Sequence, residues 1–165
     1  ELNLGDSIRI SATASSDQVH YQWDHDAGLS GPEAVIAPQV STYYRVRAED
    51  TLTFCQDEAV VFVQVNKERR VFIPNAFSPN MDGNNDYFMI YGDNDIVSIA
   101  SLRIFSREGH LLFDRSDFQP NDPVNSWDGY YQGQPLSSGV FVYVAEIEFV
   151  DGLTEVFKGD VVLIR

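Results

Sequence analysis

Hydrophobic and polar side chains alternate with a period of two along most of the chain. Residues 8–14, for example, read Ile-Arg-Ile-Ser-Ala-Thr-Ala, the pattern of a β-strand with one buried face. No stretch of a dozen residues keeps the 3.6-residue period of an amphipathic helix, so the pattern predicts an all-β protein. Further strands are predicted at residues 19–23, 33–37, 42–49 and 58–66, and then at 71–73, 87–91, 97–105, 110–114, 140–149 and 155–164.

The longest predicted strand, residues 140–149, has aromatic or aliphatic side chains at every odd position from Phe141 to Phe149. At the even positions three valines are followed by Glu146 and Glu148, so we expect this second face to begin covered and to end in water. The Asp-Gly pair in the turn at 150–153 favours a tight hairpin back onto residues 155–164.

A charged segment, Asn-Lys-Glu-Arg-Arg at residues 66–70, interrupts the alternation. We therefore predict a domain boundary there, with one domain at residues 1–67 and a second at residues 71–165. The formal charge is −5 in residues 1–70 and −9 in residues 71–165, so the second half is the more acidic one. We interpret the basic segment as a hinge rather than a docking site.

The chain is strongly acidic, because 11 Lys and Arg stand against 25 Asp and Glu, a formal charge of −14. This argues against nucleic acid, which needs a basic surface, and against docking on anionic lipid. The apolar stretches are far shorter than the ~20 residues that cross a bilayer, so we expect no direct membrane insertion. The first residues lack the pattern of a signal peptide, and Cys55, the single cysteine, can form no disulfide within the chain.

Short amide and carboxylate side chains crowd the segment before residue 87. Such side chains bond to nearby backbone N–H groups and tolerate left-handed backbone angles, which favours a rigid loop without metal or other cofactor. Alternating oxygen ligands also suit calcium. An EF-hand is excluded because Met89 would stand where a bidentate Glu is required, but a looser calcium site stays open. Its ligands would be Asn80, Asp82, Asn84 and Asp86 around Gly83.

Residues 127–139 contain three glycines and one proline, which predict successive turns leading into the long strand. Trp127 is expected to close the end of the core, with its indole N–H on a carbonyl. The alternative is a carbohydrate platform in which Trp127, Tyr130 and Tyr131 stack on a sugar ring. Aromatic side chains near glycines in β proteins are usually packing groups, so the packing interpretation is favoured.

Four sequence blocks follow one another in the second half. They are VFIPNAFSPN at 71–80 with Asp82-Gly83, Asn85-Asp86 and Phe88; LRIFSREG at 102–109; WDG at 127–129 with GQPL at 133–136 and SGVFVY at 138–143; and KGDVVLIR at 158–165. In this order they resemble the gliding-motility-associated C-terminal domain, the type B sorting domain of the type IX secretion system, over all of residues 71–165. Three positions depart from the family pattern: Met81 stands where Gly is common, Ser106 replaces an Asn and Glu108 a Trp.

The resemblance implies an export function. Such domains end secreted proteins of Gram-negative bacteria, fold in the periplasm, and direct the attached cargo through the outer-membrane translocon to the cell surface or the medium. The type B branch works with a small outer-membrane partner protein, its cargoes include gliding adhesins, and nothing in this role requires catalysis. The recognition residues implied in this sequence are Asn80, Asp82, Gly83, Asn85, Asp86, Trp127, Asp128, Gly129, Lys158, Gly159 and Arg165.

Residues 2–66 resemble, more weakly, the immunoglobulin-like or PKD-like repeats that often precede such a domain. The similar segments are GDSI at 5–8, Tyr-Gln-Trp at 21–23 and STYYRV at 41–46. The expected fold is therefore two consecutive β-sandwich, immunoglobulin-like domains, with Trp23 in the core of the first as a spacer domain.

An enzyme is not expected. His20, His25 and His110 are isolated in sequence, and there is no G-x-S-x-G, H-E-x-x-H or phosphate-loop motif. Two functions stay open: a sorting and surface-anchoring module, or a carbohydrate- or protein-binding adhesive module. For the first we expect the partner to pair with a strand edge at residues 157–165, with the loop at 80–86 and the turns at 127–139 adding specificity.

Overall fold

The computed structural model describes residues 1–24 and 29–165, and every regular element in these residues is a β-strand. The chain divides into two compact units, Glu1–Glu68 and Arg69–Arg165, each with its own hydrophobic core. The all-β, β-sandwich prediction is therefore confirmed. The histidine at position 25 lies outside the described residues.

In the first unit, two antiparallel sheets enclose a core around Trp23. β3, β5 and β6 form one sheet and β2 and β4 the other, while β1 and β7 form a short parallel pair. The indole N–H of Trp23 donates to the Gly31 carbonyl at 3.0 Å, and Cys55 is exposed with a free thiol. The strands are β1 (Leu2–Asn3), β2 (Ile8–Ser11), β3 (Val19–Trp23), β4 (Glu33–Ile36), β5 (Thr42–Asp50), β6 (Gln56–Val63) and β7 (Val65–Asn66).

The strand predicted at residues 58–66 is divided between two sheets. Val63 pairs with Thr42 of β5, whereas Val65 pairs with Leu2 of β1, so the chain changes partner at Gln64. Val63 and Val65 are both buried. Because the alternation of buried and exposed residues continues through the change, the pattern cannot reveal it.

In the second unit, a five-stranded sheet runs in the order β12-β11-β15-β16-β9, and only the β16–β9 pair is parallel. The hairpin expected from residues 140–164 is confirmed, since β15 and β16 pair without a break from Gly139↔Leu163 to Glu148↔Thr154. The strands are β8 (Val71–Phe72), β9 (Ala76–Phe77), β10 (Tyr91–Gly92), β11 (Ile96–Phe105), β12 (Leu111–Phe118), β13 (Tyr130–Tyr131), β14 (Gln134–Pro135), β15 (Gly139–Phe149) and β16 (Thr154–Leu163).

The core of the second unit lies on one face of this sheet. The odd positions of β15 point into it, as predicted, and they pack with Phe77 of β9 and with Phe88 and Trp127 from the connecting segments. The opposite face is only partly covered: Val140 and Val144 are half-buried, whereas Val142 is 36% exposed. The expectation that β15 begins with both faces covered is therefore wrong at Val142. Valine is common in strands because of its branched shape as well as its hydrophobicity. Three valines on this face therefore do not by themselves predict that the face is buried.

The strand predicted at residues 87–91 is not continuous. Phe88 makes an isolated bridge with Trp127, and Tyr91 pairs with Phe72 of β8 instead. Phe88 and Ile90 are buried, which is why the period of two is present in the sequence. A segment that packs against a sheet shows the same alternation of buried and exposed residues as a strand that is hydrogen-bonded within a sheet. The pattern therefore predicted one continuous strand where the chain makes two short, separate pairings.

Arg69 and Arg70, which the sequence assigns to the linker, make ordered contacts within the second unit. Arg69 bonds to the carboxylate of Asp151 and Arg70 donates its backbone N–H to Oδ2 of the buried Asp95 at 3.0 Å. The folded second unit therefore begins before the first recognisable sequence block.

Candidate recognition site

The carboxylate of Asp86 holds the loop at residues 80–86 together. Its Oδ1 accepts the backbone N–H groups of Asn80 and Met81 at 3.0 and 2.7 Å, and its Oδ2 accepts that of Gly83 at 2.8 Å. The loop thus has an internal hydrogen-bonded centre although most of its residues are exposed.

Asp82 forms a second centre in the same loop. Asn80 Nδ2 donates to Asp82 Oδ2 at 2.9 Å, and the backbone N–H of Asn84 donates to Asp82 Oδ1 at 2.8 Å. These hydrogen bonds, that from Asn80 first, lower the pKa of Asp82 below its ordinary value, so the loop contains a carboxylate that stays ionised at neutral pH.

Three loop residues have left-handed backbone angles: Met81 with φ 64°, Gly83 with φ 87° and Asn85 with φ 53°. Gly and Asn adopt this region at little cost, whereas Met does not. The conformation at residue 81 therefore explains physically why Gly suits a position where this chain has Met.

Calcium binding at this loop stays a prediction. Within the described residues there is no group of three or more His, Cys, Asp and Glu side chains placed to hold a metal ion. The carboxylate oxygens of Asp82 and Asp86 already accept hydrogen bonds from the loop itself. A metal ion would have to compete with these donors.

Trp127 lies at the centre of the packing beneath the loop. Its side chain is fully buried, with ring centres 5.2 Å from Phe77 and 5.1 Å from Phe141. The indole N–H donates to the Tyr130 carbonyl at 3.2 Å, and the backbone N–H of Phe88 donates to the Trp127 carbonyl at 2.8 Å. Trp127 is thus the packing group that the sequence favoured. Because its side chain is fully buried, the prediction that Trp127 itself contacts a partner is wrong.

The three-ring carbohydrate platform is wrong in its first member, because a fully buried Trp127 cannot stack on a sugar. Tyr130 is half-buried, and its ring lies 5.2 Å from the guanidinium of Arg165. Only Tyr131 is exposed, and its hydroxyl accepts a hydrogen bond from Gln132. The sequence favoured packing without deciding the matter, since an aromatic residue beside Gly can serve either role.

Arg165 links the end of the sequence to the turns that follow Trp127. Its Nε donates to the Leu136 carbonyl at 2.7 Å, its Nη2 to the Gly129 carbonyl at 3.2 Å, and its backbone N–H to Ser138 Oγ at 3.0 Å. The sequence identified Arg165 as part of the last sequence block but did not predict these contacts. Two of the three acceptors are main-chain carbonyls, which the identity of a residue does not reveal.

Asp128 and Gly129 shape the turn that receives this arginine. Asp128 Oδ1 accepts the N–H of Tyr130 at 3.0 Å, and Gly129 has a positive φ of 76°. A Cβ at Gly129 would lie 3.0 Å from Leu163 Cδ1, so glycine is needed here for both the backbone angle and the space.

The structure brings most predicted site residues to one end of the second unit. The loop at 80–86 leaves from Phe77 and returns through Phe88, and both residues contact Trp127. Phe77 also pairs with Leu163, two residues before Arg165. We call the residues 80–86, 127–130 and Arg165 the loop end. Lys158 and Gly159 stand apart from it, seven and six residues before Arg165, which is about 20 to 24 Å at the usual rise per residue.

The expectation that residues 157–165 form a free strand edge is wrong for the end of this segment. Val162 and Leu163 lie between β15 on one side and Ala76 and Phe77 on the other, and Leu163 is fully buried. The first part of the segment, up to Asp160, pairs with β15 alone within the described residues.

Ser106 substitutes chemically for the Asn that the family usually has in the turn between β11 and β12. Its Oγ accepts the backbone N–H groups of Glu108 and His110 at 3.2 and 3.3 Å, as an Asn side chain would. Gly109 has φ 87°, which completes the turn. This departure from the pattern therefore keeps the turn. A separate hydrogen bond from the Ser106 side chain to the carboxylate of the exposed Glu108 lowers the pKa of Glu108.

A family model described as the CHU_C type IX secretion signal domain matches residues 71–163, over half of the chain. The chain belongs to this family. A type IX secretion signal directs export out of a Gram-negative cell, to its surface or the extracellular space, and implies interaction with the type IX secretion machinery. It is a non-catalytic kind of domain. The resemblance read from the four sequence blocks is thereby confirmed.

Solved structures of several proteins are similar at low sequence identity. The fibronectin(III)-like modules of Clostridium thermocellum CbhA are 16% identical, with 99% of this chain and 87% of that chain covered and a TM-score of 0.31. SGBP-B of the Bacteroides ovatus mixed-linkage glucan utilization locus, in complex with a mixed-linkage heptasaccharide, is 16% identical, with 99% of this chain and 42% of that chain covered and a TM-score of 0.33. Dimeric latent PorU of Porphyromonas gingivalis is 12% identical, with 96% of this chain and 18% of that chain covered and a TM-score of 0.34. The chain thus spans less than half of the second and third proteins. At these TM-scores the similarity carries no conclusion about function.

No curated protein matches the sequence. Within the described part of the chain, no helix is long and apolar enough to pass through a membrane.

Proposed function

We propose that residues 69–165 are a folded export signal of the type B class, recognised at the loop end. The signal carries an attached protein, of the gliding-adhesin kind, from the periplasm through the type IX translocon. A small outer-membrane partner then retains it at the cell surface. The observation that supports this most is the pair of hydrogen bonds from Arg165 to the carbonyls of Leu136 and Gly129, because they join the last sequence block to the third.

The loop end depends on the folded state. The loop at 80–86 is closed by the Asp86 carboxylate, its flanking residues Phe77 and Phe88 contact Trp127, and Arg165 bonds to the turns after Trp127. These contacts support a recognition surface built from residues far apart in sequence. An unfolded chain would not present that surface. The proposal therefore requires that the partner recognises the folded unit and not a linear peptide.

We propose no catalytic step for either unit. In the loop end, the carboxylates of Asp82, Asp86 and Asp128 all accept backbone N–H groups, which is a structural use of acidic side chains. The first unit then serves as a spacer between the signal and whatever precedes it.

Export of a fusion protein tests the proposal. A periplasmic reporter carrying residues 69–165 should appear outside cells of a host with a working type IX system, and should stay inside when the translocon is deleted. The same reporter carrying residues 1–68 is the matched control and should stay inside both hosts. Retention of the folded 69–165 fusion in the competent host would overturn the proposal.

One observation favours a second candidate, an adhesive binding module in the first unit. Tyr43 of β5 and Phe62 of β6 are 64% and 49% exposed, and their ring centres are 4.7 Å apart. Val60 on the same face is also exposed, so the surface offers an apolar contact. Binding of the whole chain to a glycan array or to host cells, lost in Tyr43→Ala together with Phe62→Ala, would support this candidate.

A further inference from the structure

One edge of the five-stranded sheet in the second unit is open along half of β16. This strand pairs with β15 over its whole length, but on its other side only Val162 and Leu163 have partners, Ala76 and Phe77. From Val156 to Asp160 no other strand of the described residues pairs with that side.

The direction of the free backbone groups follows from the bonds at the covered end. Val162 N–H donates to the Asn75 carbonyl at 2.9 Å and Ile164 N–H to the Phe77 carbonyl at 3.0 Å, both away from β15. Because every second residue of a strand directs its backbone groups to the same side, Val156, Lys158 and Asp160 do so as well. They present three N–H donors and three carbonyl acceptors over about 14 Å.

This open edge is regular, unlike the opposite edge of the sheet. The pairing of β12 with β11 shifts register between Ile104 and Phe105, and Asp117 in β12 has φ 56°. Such irregularities prevent another strand from adding to an edge. β16 keeps one register with β15 over all its pairs and contains no proline, so a further strand can pair with it.

Tyr143 adds a polar group beside the open edge. Its ring lies close to Gly159, and Tyr143 Oη is 2.9 Å from where a Cβ of Gly159 would be. Gly159 stands between Lys158 and Asp160, whose backbone groups are directed outward. Because Gly159 has no side chain, the Tyr143 ring can lie over the backbone of β16 and its hydroxyl can reach the open edge.

The charges around the edge indicate what would pair with it. On the solvent face, Val156 is opposite Glu146 and Thr154 is opposite Glu148, and Asp160 follows along the strand. Lys158 is the one cation among them. The carboxylates of Glu146, Glu148 and Asp160 outnumber the ammonium of Lys158, so this face carries excess negative charge. This charge favours an added strand with basic side chains on the same face.

We propose that the edge of β16 from Val156 to Asp160 pairs with an extended, basic segment of an export-machinery protein. This rests on the proposed export function. The segment adds a sixth strand beside β16 and ends where Asn75 to Phe77 already occupy the edge. Main-chain hydrogen bonds then provide affinity independently of sequence, while Tyr143 and the carboxylates select the partner.

The test is Lys158→Pro in the 69–165 reporter fusion, with Lys158→Ala as its matched control. Proline removes one outward N–H and blocks the edge, but removes no bond to β15, so the unit should still fold. We expect about a tenfold loss of export for Lys158→Pro and a clearly smaller loss for Lys158→Ala, which removes the side chain but keeps the outward N–H. Thermal unfolding of purified residues 69–165 carrying either substitution checks that both variants fold.

The possible outcomes separate the two proposals. Normal export of folded Lys158→Pro overturns the edge proposal and leaves the export signal intact, whereas failure of the unchanged fusion overturns the export function. If the wild-type unit forms dimers in sedimentation that Lys158→Pro abolishes, the occupant is a second copy and the proposal is wrong.

A photocrosslinking residue in place of Val156 tests the same edge without proline. It should link to a type IX machinery component, detected with antibodies, in exporting cells. The control position is Val124, which is also exposed. Equal crosslinking to that component from both positions, or none from position 156 during normal export, overturns the edge proposal even if Lys158→Pro fails to fold.

Discussion

Nη2 of Arg69 lies 3.0 Å from Oδ2 of Asp151, and the two side chains are only 15% and 6% exposed. Arg69 also donates from Nε to Glu155 at 3.2 Å, and its guanidinium lies 4.2 Å from the ring centre of Phe149. This ion pair fastens the first residue of the second unit to its last hairpin. The unit that folds therefore includes residues before position 71, where the family match begins.

Arg69→Ala should lower the free energy of unfolding of the second unit by about 3 kcal/mol, because it leaves Asp151 buried without this cation. Arg103→Ala is the matched control, since Arg103 faces the exposed Asp114 at 3.9 Å and such pairs are worth about 0–1 kcal/mol. Urea unfolding of residues 69–165 measures both. Equal losses for the two variants would contradict the structural role of Arg69. A fragment that begins at Val71 should be destabilised like Arg69→Ala.

Arg165→Ala should loosen the turns after Trp127 without unfolding the unit. It removes side-chain bonds to the carbonyls of Leu136 and Gly129, which are worth about 1–3 kcal/mol together. Hydrogen exchange should therefore quicken at the N–H of Leu136, which donates to the Gly129 carbonyl. Arg115→Ala, an exposed arginine of the same unit, should leave that amide unchanged. Unchanged exchange in Arg165→Ala would show that the turn is stable by itself.

Met81→Gly should stabilise the second unit by about 0.5–1 kcal/mol. Met81 has φ 64° and its side chain is 88% exposed, so glycine relieves backbone strain and loses almost no packing. Asn84→Gly in the same loop is the control, since Asn84 has no positive φ and should only lose stability. Thermal unfolding distinguishes the two, and a destabilised Met81→Gly would mean that the loop does not hold residue 81 in this conformation.

In the first unit, Asp50 has a pKa lowered to about 2, with a hydrogen bond from Ser16 as the largest cause and backbone bonds from Thr53 and Leu52 next. Since the folded pKa is depressed, the stabilisation by this carboxylate is present above its unfolded pKa of about 3.9 and is lost as the pH falls through about 2. An NMR titration of the Asp50 carboxyl should show that midpoint. Ser16→Ala should move the midpoint upward, and an unchanged midpoint would assign the shift to the backbone donors.

The hairpin of β15 and β16 could be predicted from alternation and one Asp-Gly turn, because a strand buried on one face leaves that pattern. The contacts of Arg69 could not be predicted, because two adjacent arginines between strands indicate a solvent-exposed linker. Only the folded chain brings Asp151 and Glu155 to Arg69. The same holds for the loop end: its residue types were predicted, but the carbonyl acceptors of Arg165 were not. Side-chain identity predicts hydrogen bonds between residues close in sequence. Contacts between residues about 30 or more positions apart depend on the topology of the fold.

The loop at 80–86 should keep its structure without calcium, because the carboxylates of Asp82 and Asp86 are already bound by five donors of the loop itself. Isothermal titration of residues 69–165 with calcium should give no heat, and calcium should not raise the melting temperature. Asp86→Ala should cost about 1–3 kcal/mol, since three backbone N–H groups lose their acceptor, and the loss should be the same with calcium or with a chelator. Asp93→Ala, outside the loop, is a control for the removal of an exposed carboxylate. Saturable heat with calcium, abolished by Asp86→Ala and retained by Asp93→Ala, would establish the metal site instead and make the loop a calcium-dependent part of the recognition surface.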